Sequence, residues 1–241
     1  MNLCIDQGNS STKAGIFNQE ELIESFQLRN GLDEIAAIFD KYTIDSCILS
    51  SVVDNNEAII QFLNNKKVYF EELNHKTALP IINTYSTPET LGKDRIAAVV
   101  GATFLKPAND LLVIDAGSAI TYDFVSSDSV YLGGNIAPGL NMRLRSLHEF
   151  TQKLPLIEPK NETPFIGNDT NSAILSGSLY GIVLEIDGYI NTLKIKYPEL
   201  SVFLTGGSIF YFDTKLKSPI FAEPNLVLIG LNRILQYNVQ K

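Results

Sequence analysis

Cysteine, histidine and positive charge are all scarce in this chain. The two cysteines, Cys4 and Cys47, both sit inside apolar strand-like runs, so buried thiols are expected rather than a disulfide, a pattern suited to a reducing cytosol. The two histidines, His75 and His148, stand alone and each reads as a surface or packing residue, and there is no metal site built on His and Cys. No elbow motif supports a Ser-His-Asp arrangement. Lys and Arg number 19 against 27 Asp and Glu, giving a formal charge of -8 and a pI near 4.8. That balance excludes a phosphate backbone as partner, since nucleic-acid affinity rests on cationic side chains displacing counterions. The longest weakly polar run, residues 96–105, is far short of the ~20 residues that span a bilayer. No basic segment precedes an apolar stretch near the N-terminus, so no membrane partner is expected and a cytoplasmic location is. A P-loop is missing, and no G-x-G-x-x-G follows a strand.

What remains is an ordinary globular composition, 45% apolar and 19% charged over 241 residues. The length suits one large domain or two of about 110 to 120 residues. "NLCID", "TKAGIF" and "LIESFQL" read as three closely spaced strands of an antiparallel meander. Helix-length stretches at 31–41 and 54–65 flank the short run "SCILSSVV", and "KKVYFEEL" reads as another strand. Strands separated by helices indicate an α/β fold with a mixed sheet and covered faces. A long helix is expected from Pro88 through "PETLGKDRIAAVVGATFL", with proline in the first turn. "VYLGGNIAPGLNMRLRSLHEF" reads as a strand, a Gly-rich turn and a helix. "ILSGSLYGIVLEIDGYINTLKIKY" reads as a long helix, "SVFLTGG" as a strand, and the chain closes on a helix from Asn225. Residues 154–167 read as a long surface loop.

The opening stretch returns in the second half. Asp115, Gly117 and Thr121 stand 109 positions after Asp6, Gly8 and Thr12, each set lying in an apolar run, Asp, x, Gly, polar turn and second strand. Such a repeat at domain spacing points to two matching units that can face each other across a cleft, divided as 1–107 and 108–241. A strand that delivers a carboxylate to a tight Gly turn brings backbone N–H groups and hydroxyls to a phosphate, while the Asp holds Mg2+. Asp6 with Gly8, Asn9, Ser10, Ser11, Thr12 and Lys13 fits that use, as do Asp115, Gly117, Ser118 and Asp123. A hairpin with polar residues facing water explains the first stretch as well. Gly206 and Gly207 of "LTGG" form a third Gly turn after a strand, suited to close approach to a flat ring or to an ordinary helix start. In "LGKDR", Gly92 to Arg95, a carboxylate can accept a proton from a substrate hydroxyl and a guanidinium can bind a carboxylate in bidentate fashion. An exposed Asp and Arg on a helix face is the alternative.

Taken in order, "DQGNSSTK", "YSTPETLGKDR", "DAGSAITYD", "GGNIAPG" and "TGG" resemble the motif series of type III pantothenate kinase, a branch of the acetate and sugar kinase, Hsp70 and actin superfamily, and they cover nearly the whole chain. The resemblance implies two ribonuclease-H-like domains with mixed sheets flanked by helices, a nucleotide cleft between them, and transfer of the γ-phosphoryl group of ATP to the primary alcohol of pantothenate in coenzyme A biosynthesis. It makes Asp94 the base, puts Arg95 on pantothenate, and lines the same pocket with Tyr85, Gly92 and Lys93. Asp6 is implied for Mg2+, with Asp115 in the Mg2+ and phosphate region, and the turns at Gly8 to Lys13 and Gly117 to Ser118 for phosphates. A homodimer with a shared active site is implied, the long helix lying at its interface and Thr170 of "IGNDT" crossing over. A monovalent cation, K+ or ammonium, is implied too, with Asp123 its candidate ligand. Ser10 and Ser118 stand where the family commonly has Thr, keeping the hydroxyl, and Asn168 and Asp169 replace a common basic-Asn pair. The alternatives are a non-catalytic ATP-binding regulatory homologue, which would be expected to lose Asp94 or Arg95, a kinase for another hydroxylated acid, and a nucleotide hydrolase without an acceptor.

Overall fold

A computed structural model describes residues 1–8, 11–29, 31–53 and 56–240. The chain divides into two compact units, one made of Met1–Ala108, Val125–Gly133 and Asn225–Lys241, the other of Asn109–Phe124 and Gly134–Pro224.

In the first unit β1 (Asn2–Gln7), β2 (Thr12–Asn18) and β3 (Glu21–Leu28) form the expected antiparallel meander. After α1 (Leu32–Lys41) the chain returns as β4 (Ser46–Ser51), parallel to β1, and after α2 (Glu57–Asn65) as β5 (Tyr69–Glu72), parallel to β4. The strand order is β3-β2-β1-β4-β5. Its sequence logic is burial: every residue of β4 is buried, as a central parallel strand requires, whereas β3 alternates between exposed and covered positions as an edge strand does. Leu3, Ile5, Ile16, Ile35, Cys47, Leu49 and Leu63 build the core under α1 and α2. Both cysteines are buried free thiols.

A single turn of 3-10 helix, Pro88–Thr90, precedes α3 (Lys93–Leu105), with β6 (Ile82–Asn83) before both. The helix expected to run unbroken from Pro88 is therefore interrupted. Leu91 and Gly92 are extended, at φ -68, ψ 129 and φ -54, ψ 128, and Gly92 is the N-cap of α3. Asp94 and Arg95 consequently lie in the first turn of a helix rather than in its second.

The second sheet repeats the plan, although its residues 125–133 belong to the first unit. β7 (Leu111–Ala116), β8 (Ala119–Val125), β9 (Val130–Pro138), α4 (Leu140–Glu149), α5 (Thr170–Lys196), β10 (Ser201–Thr205) and β11 (Phe221–Ala222) follow in sequence. The strand order is β11-β10-β7-β8-β9-β6, whose first five strands mirror the first sheet, with β10 parallel to β7 and to β11 and β6 added at the edge parallel to β9. Asp6 and Asp115 thus occupy the same place, near the end of the central strand of each sheet. β9 runs straight through Gly133 and Gly134, which sequence reading had taken for a turn. A Cβ on Gly134 would lie 2.1 Å from the Tyr122 carbonyl oxygen, so the glycine is needed for close approach of neighbouring backbone. α5 is long and apolar enough by composition to cross a membrane, yet 56% of its apolar window is buried, with Leu175, Leu179, Ile182, Ile186 and Ile190 in the core of this unit. Residues 150–169 contain no helix or strand, as expected for a surface loop.

The last helix, α6 (Leu226–Val239), belongs to the first unit and packs on α3, β1 and β4. Glycine sets that contact: a Cβ on Gly230 would lie 1.8 Å from the Ala97 carbonyl oxygen, and one on Gly101 would lie 2.4 Å from that of Leu226. Gly230→Ala is expected to lower unfolding stability by about 1–3 kcal/mol through overpacking, read from the midpoint of a urea titration. An unchanged midpoint would mean that the helices are not held this close.

Candidate active site

The β1–β2 turn is short and tied, with the Gly8 amide donating to the Ser11 carbonyl at 3.0 Å. Register pairing sets Asp6 beside Lys13 and Gln7 beside Thr12, so the carboxylate, the ammonium and the Thr hydroxyl gather at one end of the hairpin. Asn9 and Ser10, expected in the same turn, lie outside the described residues. On its other side Asp6 pairs in register with Ser50 of β4. The second unit carries the same combination, Asp115 beside Thr205 of β10. A carboxylate next to a strand-borne hydroxyl therefore occurs once in each unit. Both hydroxyls are buried, Ser50 fully and Thr205 with 1% of its surface exposed.

Asp6 keeps some contact with solvent, but protein surrounds it closely. Burial pushes its pKa up to about 6, and the negative charge of Asp94 adds to the rise, while the Ser50 hydroxyl and Lys13 oppose it. Ser50 Oγ exerts this pull without a hydrogen bond of ordinary geometry among the described residues. Asp94, in the first turn of α3, benefits from the exposed N–H groups of a helix start. Its Oδ1 accepts from the Arg95 amide at 2.8 Å. Two carboxylates from distant parts of the sequence are thus held within electrostatic reach of each other.

Arg95 points inward and is only 5% exposed. Its Nη2 donates to the Tyr131 hydroxyl at 3.1 Å, and its Cζ lies 5.7 Å from the centre of the Tyr85 ring. The exposed-helix-face reading of Arg95 does not hold. Lys93 turns elsewhere, its Nζ lying 3.9 Å from Glu72 Oε1.

In the second unit the Gly turns converge. A Cβ on Gly206, which has φ +97, would lie 2.4 Å from Asp115 Oδ1, and one on Gly139 would lie 2.4 Å from the Ser118 carbonyl oxygen. The Ser208 amide donates to Ala116 O and that of Gly139 to Ser118 O. Gly117, Ser118, Gly139 and Gly206 form one backbone-lined patch, beside which Gly207 opens to free space. Asp123 is 1% exposed and packs against Gly134, whose Cβ would lie 2.6 Å from its Oδ1. Thr170 is exposed at the first residue of α5, and the departure "IGNDT" has a local cause: Asp169 is the N-cap, accepting from the Asn171 and Ser172 amides at 2.9 and 3.1 Å in a capping box. A cavity of about 450 Å3 lined by Asn161, Glu162, Thr163, Pro164, Tyr180 and Lys215 contains none of the sequence-predicted site residues.

Sequence reading missed Ser50, Gly139 and Tyr131. The first two had a signal, a polar strand end repeating the position of the Asp and a glycine opening a helix, whereas nothing near Tyr131 pointed to Arg95.

Two central strands that each carry an Asp near the end, before a Gly turn, in duplicated sheets of related order, are the framework of the acetate and sugar kinase, Hsp70 and actin superfamily. Among solved structures, the fold is similar to a Listeria monocytogenes protein described as an N-acetylmannosamine kinase (TM-score 0.57, 13% identity, 98% of this chain and 99% of that one). It is also similar to a Campylobacter jejuni protein described as a Baf family transcriptional activator (TM-score 0.66, 23% identity, 99% and 100% covered). In sequence, the family model for type III pantothenate kinase matches residues 2–192. A type III pantothenate kinase from Bacteroides fragilis is 52% identical over 239 residues, covering 99% of this chain and 98% of the relative. The chain belongs to the type III pantothenate kinase family. Its reaction is the phosphorylation of pantothenate by ATP, in coenzyme A biosynthesis.

The raised pKa of Asp6 has a consequence for stability. A carboxylate whose folded pKa lies above its unfolded value near 3.8 binds its proton more tightly when folded, so the contribution is fully present below pH 3.8 and is lost as pH rises through about 6. The loss amounts to about 3 kcal/mol for a shift of roughly two units. Asp6→Asn carries no ionising group there, and its stability relative to the parent is expected to increase between pH 4 and pH 8 in EDTA. Parallel urea curves for the two proteins at all pH values would refute the strained carboxylate.

Proposed function

We propose that Asp94 is the general base of the kinase and Arg95 the anchor for the pantothenate carboxylate, with Asp6 the carboxylate that faces Mg2+. The observation that carries this reading is the placement of Asp6 and Asp94 within electrostatic reach of each other beside a buried guanidinium. A phosphotransferase needs one carboxylate for the metal and one for the hydroxyl, and their roles separate by partner. Among the described residues no cluster of three or more His, Cys, Asp or Glu side chains converges on a metal position. Mg2+ does not require such a cluster, being bound by one or two carboxylates together with phosphate oxygens and water. When bound, the ion would be held by Asp6, with Asp115 in the Mg2+ and phosphate region, and would supply the positive charge that neutralises charge developing in transfer.

The acceptor hydroxyl oxygen attacks the γ-phosphorus, the bond to the ADP oxygen breaks, and the hydroxyl proton passes to Asp94. Because the transition state is loose, positioning and charge neutralisation supply most of the acceleration, and the proton moves late. In the first unit Gly8, Ser11, Thr12 and Lys13, joined by Asn9 and Ser10, are the phosphate-binding residues. In the second unit Gly117, Ser118 and Asp115 have that role, and Gly206 and Gly207 approach the nucleotide. Tyr85, Gly92 and Lys93 complete the acceptor pocket. Asp123, a buried carboxylate in contact with a glycine-narrowed strand, is the ligand for K+ or ammonium.

Each half of the chain, 1–107 and 108–241, supplies most of one ribonuclease-H-like domain, with residues 125–133 and the final helix returning to the first unit. The enzyme acts in the cytoplasm as a homodimer in which the partner subunit's Thr170 completes the pocket. The exposed face of α5 supports that assembly: Gly177 and Gly188 have open space where a side chain would be, and Leu184, on the same stripe, is 55% exposed. A regulatory homologue is the less favoured reading, since the chain retains both Asp94 and Arg95.

ADP release is expected to require pantothenate and K+, with little turnover in Na+; release independent of pantothenate would leave a nucleotide hydrolase. Asp94→Asn is expected to lose about 10²- to 10⁴-fold in kcat while still binding ATP, and near-normal kcat would remove the base. Leu184→Glu is expected to convert dimer to monomer in sedimentation and to abolish turnover; an intact dimer would place the interface elsewhere.

A further inference from the structure

A guanidinium that is 5% exposed is costly to bury unless its N–H groups meet acceptors, and the acceptors then decide where its plane points. For Arg95 one acceptor is the hydroxyl of Tyr131, a residue with no exposed surface. The main chain of Tyr131 is held as firmly as its side chain. It stands opposite Asn83 in the β6–β9 register, and its carbonyl accepts both the Thr84 amide at 3.2 Å and the Thr84 hydroxyl at 2.7 Å. Thr84 is the residue before Tyr85. One tyrosine therefore grips Arg95 through its hydroxyl and the segment carrying Tyr85 through its carbonyl.

The aromatic packing agrees with this. The Tyr85 and Tyr131 rings stack with centroids 6.1 Å apart and 21° between their planes. Two residues on, Gly133 has φ +114, and a Cβ there would already touch the Tyr85 ring at 3.6 Å. Tyr85 is thereby backed by Tyr131 and seated against β9, with the Arg95 guanidinium 5.7 Å from its centre. All four residues belong to the first unit.

We infer that Tyr131 is the positioning residue of the acceptor pocket, fixing the orientation of Arg95 and the placement of Tyr85 so that the site selects a carboxylate-bearing acceptor. Tyr131 acts through these two residues and touches neither the reacting hydroxyl nor the phosphate. The inference rests on the reading of Arg95 as the carboxylate anchor.

Tyr131→Phe keeps the ring stack and the main-chain bonds and removes only the acceptor. Steady-state kinetics are expected to show the KM for pantothenate rising about tenfold, the usual scale for losing a hydrogen bond to a charged group. The KM for ATP is expected to stay unchanged, and kcat to fall by less than KM rises. Arg95→Lys is expected to raise the same KM, and adding Tyr131→Phe to it is expected to cost little more, because the hydroxyl then has no guanidinium to aim. Thr84→Val, which leaves Tyr131 itself intact, is expected to produce a smaller rise. If Arg95→Lys raises the pantothenate KM while neither Tyr131→Phe nor Thr84→Val does, the positioning role is overturned and the anchor stands. If Arg95→Lys leaves that KM unchanged, the anchor itself is wrong and the inference falls with it. A Tyr131→Phe protein that melts earlier with unaltered pantothenate KM would mean a structural role only, and would equally overturn the inference.

Discussion

The burial of Asp6 within electrostatic reach of a second carboxylate, Asp94, is the constraint on which the account of the first unit depends. Burial of the Asp6 carboxylate, with the negative charge of Asp94 adding to its effect, raises the free energy of the ligand-free enzyme and pushes the Asp6 pKa up to about 6. The fold tolerates this because the elements that carry them have few other places to go. Asp6 is fixed near the end of a central strand bonded on both sides, to β2 and to β4. Asp94 is fixed in the first turn of α3, a helix locked against α6 by backbone contacts that only glycine permits at positions 101 and 230. Stability is spent at the carboxylate proposed to face Mg2+, a recurrent trade at functional sites.

The duplicated sheet turns one solution into two. Equivalent central strands carry Asp6 and Asp115, and equivalent neighbouring strands carry Ser50 and Thr205 in register with them. The two copies have different surroundings: the first unit adds Lys13, Asp94 and Arg95, proposed for phosphoryl transfer to the acceptor, while the second adds the glycine-lined patch of residues 117, 118, 139 and 206, proposed for backbone approach to the nucleotide. The kinase chemistry of the family thus follows from a repeat whose halves diverged in their turns rather than in their frameworks.

Much of this was legible in the sequence because its signals were local. Three closely spaced strand-like segments marked β1, β2 and β3, apolar runs ending in Asp marked β1 and β7, and the 109-residue repeat announced the duplication. The unbroken helix from Pro88 was misread because helix propensity at Pro88 says nothing about Leu91 and Gly92, which turn extended and restart the helix. The Gly133–Gly134 turn was misread because glycine signals close backbone approach as readily as it signals a turn, and the crowding against Tyr122 is a tertiary fact. The electrostatic coupling of Asp6 with Asp94 and the bond from Arg95 to Tyr131 join residues far apart in the chain, so no window of sequence contains them.

The most direct test of the paired-carboxylate account is calorimetric counting of protons as Mg2+ and ATP bind at pH 6, in buffers of different ionisation enthalpy. With the Asp6 pKa at about 6, roughly half the molecules carry the proton before binding. The account predicts that the parent enzyme releases about half a proton more than Asp6→Asn does under the same conditions. Equal release by the two proteins would contradict it, because Asp6 would then be ionised from the start and its closeness to Asp94 would carry no energetic consequence.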